Sequence, residues 1–494
     1  MRPGRRVFGR PLLILLLLIR GAWEATIQAN VVLDWNAVIM GAIRLDNTGP
    51  TLSSRNLALL HLAMYDAVQS VVRTHQPYAV RWDAPAGTSA EAAAAAAGYA
   101  VLTALYPGIR ARADETFDTW KAGQADTPSV TRGLEIGNEV ARRILALRSG
   151  DGSATEVPYI PSSAPGSWRR TPPFFRPPLT PGWRYVRPFA IREVDPYVSP
   201  PPPALDSPEY ARDLNEVRRL GAADSVERTE EQSLIARFWS DFSYTAMPPG
   251  HWHEIAAGIA YAARTDLADT ARLFALLSLA QADAAIVCWE TKFRYNLWRP
   301  VTAIQRADED GNVATEADPA WNHYLAAPPF PAYTSGHSTF SKASAEVLAF
   351  FYGTDAIAFT AVSDSVPGVA RTFQSLAACA DEVGMSRIYG GIHFGFDNRE
   401  GKRCGRRIAR EVTAQWLLPL ADLPRVQIED VRTDTGEATL RVHARLGTRV
   451  RLETSDDLSV WRDVGEVEGV PGGVRVQIPK GATICRFFRT RDAG

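Results

Sequence analysis

Cysteine is scarce in this chain: four in 494 residues, at Cys288, Cys379, Cys404 and Cys485. That spacing excludes a disulfide scaffold and any Cys-x-x-Cys metal knuckle. An excess of one charge is missing too. Lys and Arg number 54, Asp and Glu 55, and the net charge is −1. This argues against a protein that coats nucleic acid or an acidic membrane through bulk electrostatics, while leaving room for a local basic pocket. Long apolar runs are absent. The stretch 12–19 is too short to span a bilayer, so no transmembrane segment is expected in the mature chain. What is present is 46% apolar and 22% charged, enough for a sizeable core and too apolar for global disorder. The length suggests two to four domains, or one large domain with an appendage.

The amino-terminal residues read as an address. Arg2, Arg5, Arg6 and Arg10 precede the apolar run, the pattern of a secretory signal over residues 1–25. Arg5-Arg6-Val7-Phe8 is similar to a twin-arginine export signal, so a periplasmic or extracellular protein is expected. Neither Ala22 nor Ala25 has a small residue two positions earlier, which leaves the cleavage point undefined.

Residues 26–420 carry mostly helical periodicity. Leu57, Leu60, His61, Met64, Tyr65 and Val68 form an amphipathic stripe, and 92–105 is Ala-rich and uncharged, predicting a buried helix. Between 158 and 203 lie 14 of the 34 prolines, together with Trp168, Phe174, Phe175, Trp183, Tyr185, Phe189 and Tyr197. Proline denies this segment helix and interior strand, and the aromatics set it apart from a solvated linker. It is expected to be a long ordered loop over a helical core, walling a site. Helical blocks resume at 230–241, 255–264, 267–298, 338–351 and 372–385. From 424 to 494 the texture changes to short alternating strands at 425–428, 438–443, 449–454 and 474–478, a small all-β domain. The expected fold is therefore mainly α with a small C-terminal β-domain.

Three segments gather chemistry. The first is Lys292-Phe-Arg-Tyr-Asn-Leu-Trp-Arg299-Pro300. Seven residues is close to two helical turns, so Lys292 and Arg299 are expected on one face, with Pro300 placing Arg299 near a helix end. The second is Pro329-Phe330-Pro331-Ala332-Tyr333-Thr334-Ser335-Gly336-His337, a turn running into a helix N-terminus. Free amides, the Ser335 hydroxyl and the close backbone approach allowed by Gly336 make an anion site, with His337 placed to exchange protons. The third is Ser386-Arg387-Ile-Tyr-Gly-Gly-Ile-His393-Phe-Gly-Phe-Asp397. Asp397 lies where it can accept the Nδ1 proton of His393 and raise the basicity of Nε2. Each segment alone has a plain structural reading: a solvated basic face, an ordinary N-cap, a buried His satisfied by Asp. Together they supply three cations, neutral donors and two histidines, the kit for binding phosphate or vanadate.

The three segments resemble the signature of the vanadium-dependent haloperoxidases and the related phosphatidic acid phosphatase type 2 superfamily. That signature is Lys, six residues, Arg-Pro; then Pro-Ser-Gly-His; then Ser-Arg, five residues, His. One position departs: Thr334 stands where the family usually has Pro, which is expected to loosen the loop entering Ser335. Trp35-Asn36-Ala37-Val38, His61 to Val68, Phe238-Trp239-Ser240-Asp241 and Pro248-Pro249-Gly250-His251-Trp252 extend the resemblance, to the exported bacterial branch, over most of residues 30–418. It implies a helical bundle of the haloperoxidase type. It further implies that His393 binds vanadium and that Lys292, Arg299, Arg387, Ser335 and Gly336 hold the vanadate oxygens. His337 would move protons, and Lys292 would polarise bound peroxide. Trp289 and Phe330 match aromatics of the halide pocket in the fungal chloroperoxidases. The partners implied are hydrogen peroxide and a halide, bromide or iodide being easier to oxidise than chloride.

The same residues would serve a phosphomonoesterase acting on a phosphate ester through a phosphohistidine at His393, since phosphate fits the vanadate site. A scaffold protein with a vestigial site is the third reading. The remaining histidines, His61, His75, His251, His253, His323 and His443, lack ligand spacing and are expected to be structural or superficial.

Overall fold

A computed structural model describes residues 30–420 and, beyond them, 425–432, 437–443, 449–455, 461–468, 474–478 and 487–492. The expected leader at 1–25 and Cys485 lie outside the described residues.

The helices are α1 (Val31–Leu45), α2 (Pro50–Val72), α3 (Ala90–Leu105), α4 (Arg110–Ala122), α5 (Pro128–Leu147), α6 (Pro208–Leu220), α7 (Glu230–Phe238), α8 (Met247–Ala262), α9 (Leu267–Tyr295), α10 (Pro300–Gln305), α11 (Gly336–Tyr352), α12 (Leu376–Tyr389) and α13 (Gly395–Gln415). Local chemistry sets many of their starts. Ser89, Ser207, Asp266 and Ser375 each accept an N–H from the first turn of the helix that follows, and Thr229 with Gln232 closes a capping box. The α2 stripe is real but too narrow a description, since that helix is buried on every side from Ser53 to Ser70. The Ala-rich α3 packs against α5 through glycine: a Cβ on Gly137 would lie 2.2 Å from the Ala93 carbonyl oxygen.

At the centre runs α9, packed against α2, α11 and α13. It corrects one expectation, being long and apolar enough by length and composition to cross a membrane. However, 94% of its most apolar stretch is buried inside the bundle. The block expected at 267–298 stops at Tyr295 because Asn296 turns left-handed (φ 49°) and donates its N–H to Lys292 O. The block expected at 372–385 is likewise corrected. Thr372 belongs to a hairpin of β1 (Phe359–Val362) and β2 (Ala370–Phe373), and α12 begins only after Ser375.

The proline-rich segment is irregular, with short 3-10 turns at Pro181–Tyr185 and Asp195–Tyr197, and is bolted onto α9. Asp283 of α9 accepts the amides of Phe189, Ala190 and Ile191 at 2.6–2.8 Å. Arg184 forms a two-pronged pair with Glu290, 2.7 and 2.8 Å. The Trp168 amide donates to Asn296 O at 2.7 Å, and the Leu179 amide to Pro329 O at 2.8 Å.

Beyond the helices, β3 (Arg425–Arg432), β4 (Glu437–His443) and β7 (Val474–Ile478) form one antiparallel sheet in the order β3-β4-β7. A second sheet, ordered β6-β5-β8, comprises β5 (Arg449–Ser455), β6 (Arg462–Glu468) and β8 (Phe487–Asp492). Leu440, Val442, Val450, Leu452 and Val467 make their shared core. Strand β6 escaped the pattern reading because it is exposed at every residue but Val467, so no alternation marks it.

His61 and His253 prove to be core residues in mutual contact, their rings stacked at 5.2 Å and each packed on Phe274. Burial pushes both below the ordinary imidazole value, His253 to about 4. Its ring bonds Pro249 O and Ser278 Oγ, both at 2.9 Å, which suits the neutral tautomer. A depressed folded-state pKa contributes stability above the unfolded value near 6.5, and this contribution is lost as pH falls through about 4. The buried carboxyls of Asp66 and Asp283, raised to about 6, work in the opposite direction. The difference between wild type and His253→Gln isolates the imidazole. The stability advantage of wild type is expected to shrink by about 3 kcal/mol between pH 7 and pH 4, read from denaturant melts. A constant difference would contradict this account.

Candidate active site

The three chemical segments meet at one end of the bundle, but not as one helix face would bring them. Lys292 is in the last turn of α9, whereas Arg299 caps the separate helix α10. The expectation of a shared face fails because the left-handed turn at Asn296 breaks the helix between them. Arg387 sits near the end of α12, and His393 lies between α12 and α13. The tight connection before His393 requires glycine, since Gly391 has φ +74° and a Cβ there would lie 2.2 Å from Gly221 O. Ser335 caps α11, whose entry is held against α13 by the Ser335 amide donating to Asp397 O at 3.1 Å. Gly401 and Gly405 of α13 permit that approach, with Ser335 O and Thr339 O at 2.7 and 2.2 Å from their would-be Cβ atoms.

His393 and Asp397 form the expected pair, Nδ1 to Oδ2 at 2.8 Å, and the Phe394 amide donates to the same oxygen. Burial first, then the charges of Arg299, Lys292 and Arg387, push His393 well below the ordinary imidazole value. The ring is therefore neutral, with its proton on Nδ1 and a lone pair on Nε2, where Arg299 Nη1 approaches to 3.1 Å. Burial raises the Asp397 carboxyl, and Lys292, the Phe394 amide and Arg299 oppose that rise.

The cations are held by backbone carbonyls. Lys292 Nζ donates to Pro331 O, Ala332 O and Thr334 O at 2.9, 3.0 and 2.5 Å. Burial lowers its pKa, but three carbonyl acceptors use all three N–H bonds of an ammonium, so the charged form is the one this geometry fits. Two expectations change here. Lys292 spends its donors on the loop, acting on an anion through its charge. The loop with Thr334 in place of Pro is pinned by those bonds, and Thr334 is fully buried. Arg299 donates Nε to Phe330 O and Nη1 to Ile392 O, both at 2.8 Å, and Arg387 donates Nη1 to Trp239 O at 2.8 Å. Among the described residues, Arg299 Nη2 and Arg387 Nε and Nη2 are buried without a partner. Buried guanidinium N–H groups are costly to leave unmade, so this set fits an oxyanion. Ser335 Oγ accepts from Ser338 and keeps its own proton to donate, beside the first-turn amides of α11.

His337 is partly buried, with Nε2 itself buried, unpartnered and 3.9 Å from Asp241 Oδ2. Burial, then Arg387, keeps it well below the ordinary value, neutral and able to take a proton. Asp241 Oδ1 bonds His251 Nδ1 at 3.1 Å. His251, set aside in the sequence, thus stands next to the site. Burial lowers it, yet Asp241, Glu254 and Asp364 together leave it raised. Asp241 and His251 lie on different elements, and nothing in their spacing announces the pair. His323 is structural, as expected, its Nε2 3.3 Å from Pro172 O on the proline-rich wall. Strand β4 ends at His443.

His337, His393, Gly336 and Asp241 floor a cavity of about 590 Å³. Trp289 and Phe330 line it with ring centroids 5.0 Å apart. Lys292 Nζ and the Arg299 guanidinium each lie 4.9 Å from the Phe330 centroid. Thr171, Pro172, Phe174, Arg176, Pro177, Pro178 and Leu179 of the proline-rich segment supply one wall, as expected.

Residues 272–418 match the model of the VCPO second helical-bundle domain. The chain is 26% identical over 490 residues to the vanadium chloroperoxidase of Curvularia inaequalis, covering 75% of this chain and 79% of that protein. Its fold is similar to the crystal structure described as the first bacterial vanadium-dependent iodoperoxidase. There the TM-score is 0.69 and the identity 28%, over 78% of this chain and 96% of the other. A holo-type bacterial vanadium-dependent chloroperoxidase is similar in fold at 18% identity, TM-score 0.58, over 74% of this chain and 92% of the other.

Orthovanadate or phosphate is expected to stabilise the protein, by about 3 kcal/mol at a hundred times the dissociation constant. Arg387→Met is expected to remove most of that gain. Thermal melts against anion concentration check both, and a melting temperature indifferent to either anion would contradict the site.

Proposed function

The chain belongs to the vanadium-dependent haloperoxidase family, and we propose that it oxidises bromide and iodide with hydrogen peroxide at the site floored by His337 and His393. The observation that carries this reading is the set of partnerless Arg299 and Arg387 N–H groups beside the Nε2 lone pair of a neutral His393. A tetrahedral oxyanion with an open coordination position satisfies both at once. Residues Arg299, Arg387, Ser335 and the Gly336 amide would hold vanadate, with His393 Nε2 as the vanadium ligand and Lys292 adding charge from behind the loop. Held there, vanadate would supply Lewis acidity toward peroxide without itself changing oxidation state.

The protein's own groups do the rest. Asp397 fixes the His393 tautomer so that the lone pair stays on Nε2. His337, neutral at neutral pH, takes a proton from incoming peroxide and returns it to the departing oxygen. Trp289 and Phe330 form a dry rim at which halide meets the activated oxygen. Halide, peroxide and one proton give hypohalous acid and water. The basic, then apolar stretch ahead of residue 26 supports export of the protein, through a twin-arginine route.

Purified protein with bromide, peroxide and orthovanadate is expected to brominate a dimedone-type acceptor, and to do so only when vanadate is present. His393→Ala is expected to lose at least about a hundredfold, and Asp397→Asn to lose activity while keeping its fold. A parallel assay with nitrophenyl phosphate decides against the phosphomonoesterase alternative. Phosphate release inhibited by vanadate, with no halogenation, would overturn the haloperoxidase reading.

A further inference from the structure

The cavity is much larger than the proposed chemistry of halide and peroxide needs. Its volume of about 590 Å³ lies in the range that takes organic ligands of drug size. Above the polar floor the walls are apolar and stiff. Pro172, Pro177 and Pro178 line it together with Pro328 and Pro329 of the site loop, and the two segments are joined by the Leu179 amide donating to Pro329 O. Proline holds φ fixed and offers no N–H, so these walls neither bind water through an amide nor need ordering when a ligand enters. Two aromatics mark the two ends. Trp289 lies at the floor beside Gly336, while Phe174 lines the cavity yet stays 62% exposed. Of the lining residues, Asp241 and Arg176 carry the ionic charge. Asp241 is tied to His251 at the floor. Arg176 stands among the prolines, and its guanidinium stacks on Phe174 at 4.8 Å from the centroid. Among the described residues no carboxylate pairs with it, and Phe174 is the ring it lies over.

We infer that this cavity binds an aromatic organic acceptor bearing an acidic group. The rings would lie between the proline walls, the anionic end would meet Arg176, and the ring to be halogenated would point at the Trp289 and Phe330 rim. The inference rests on the haloperoxidase reading of the floor. In the overall step halide gives two electrons to the O–O bond of peroxide, which breaks to water. The carbon–halogen bond forms as a ring C–H bond breaks, and the ring hydrogen leaves as a proton. One aromatic, one halide, one peroxide and one proton thus give the halogenated aromatic and two waters.

The test separates binding from turnover. Protein without vanadate or peroxide is titrated with 6-hydroxynaphthalene-2-sulfonate and with neutral 2-naphthol, followed by tryptophan fluorescence and calorimetry. Saturable one-to-one binding of the sulfonate is expected. Arg176→Ala is expected to weaken the sulfonate at least tenfold and 2-naphthol less than threefold, and Ala327→Trp, which fills the cavity from the site loop, to abolish both. Absence of saturable binding to the wild type, or equal binding by Ala327→Trp, would overturn the inference. A second arm compares products. With the holoenzyme, the ratio of brominated isomers is expected to differ from that given by added hypobromite and to revert to it in Ala327→Trp. The same ratio in all three would overturn the inference too. Failure of the underlying haloperoxidase reading would show separately, as no vanadate-dependent trihalide formation by wild type in the absence of any acceptor.

Discussion

Three cations buried at the end of a helical bundle are the constraint on which the site depends. Lys292, Arg299 and Arg387 are each fully buried, and desolvating such charges costs several kcal/mol apiece. The protein offsets this chiefly with carbonyl dipoles: three for Lys292, two for Arg299 and the Trp239 carbonyl for Arg387. Full compensation by carboxylates would have neutralised the pocket. Dipoles stabilise the charges while leaving the site positive, with donors to spare on the two guanidiniums. The three Lys292 acceptors and the Phe330 carbonyl belong to the loop that enters α11, so the charge that attracts an anion also fixes the helix end that receives it.

Much of this was legible in the chain, and the parts that were not share a cause. The cations, both histidines and Ser335-Gly336 sit in three contiguous motifs, where spacing of a few residues carries the information. The pairing of His393 with Asp397 was legible for the same reason. Asp241 and His251 lie apart from those motifs, and only the packing of α8 and the loop before it against α11 brings them to His337. The fold followed the same division. Long periodic blocks gave helices, while the end of α9 and the hairpin before α12 were set by single residues: a left-handed Asn296 and a capping Ser375. Strand β6, exposed at all but one position, gives no alternation to read. Thr334 shows the opposite error. Proline stiffens a loop locally, so Thr in its place reads as a weakness, but the stiffness here comes from Lys292, forty-odd residues away in sequence.

Two imidazoles share one pocket and are set to different tasks by what each nitrogen meets. His393 has a carboxylate on Nδ1 and cations around Nε2, which fixes its proton on Nδ1 and leaves the Nε2 lone pair that the proposed function uses as a ligand. His337 has no such clamp. Its Nε2 faces Asp241 at 3.9 Å, too far for a hydrogen bond and close enough to favour a proton that arrives. A group that carries protons must gain and lose them without rebuilding its surroundings, and a loosely opposed carboxylate allows that. His251, bonded to the other oxygen of Asp241, keeps that carboxylate oriented.

The floor alone cannot choose between phosphoryl and halide chemistry, because the two anions have the same shape and ask for the same donors. The choice falls to what stands above it. A phosphate ester brings its leaving group into the space over His393, and an alcohol leaving group is best served by water and polar contacts. The space here is walled mainly by proline, Phe330 and Trp289, which offer neither, and its polar groups above the floor are Asn47, Thr171, Arg176 and Ser243. A dry, low-dielectric wall strengthens the attraction of the cations for an anion on the floor and keeps an electrophilic halogen from being captured by water before it meets carbon. The proline-rich segment, held to α9 by Asp283 and Glu290, is therefore part of the chemistry: it decides what the shared floor can be used for.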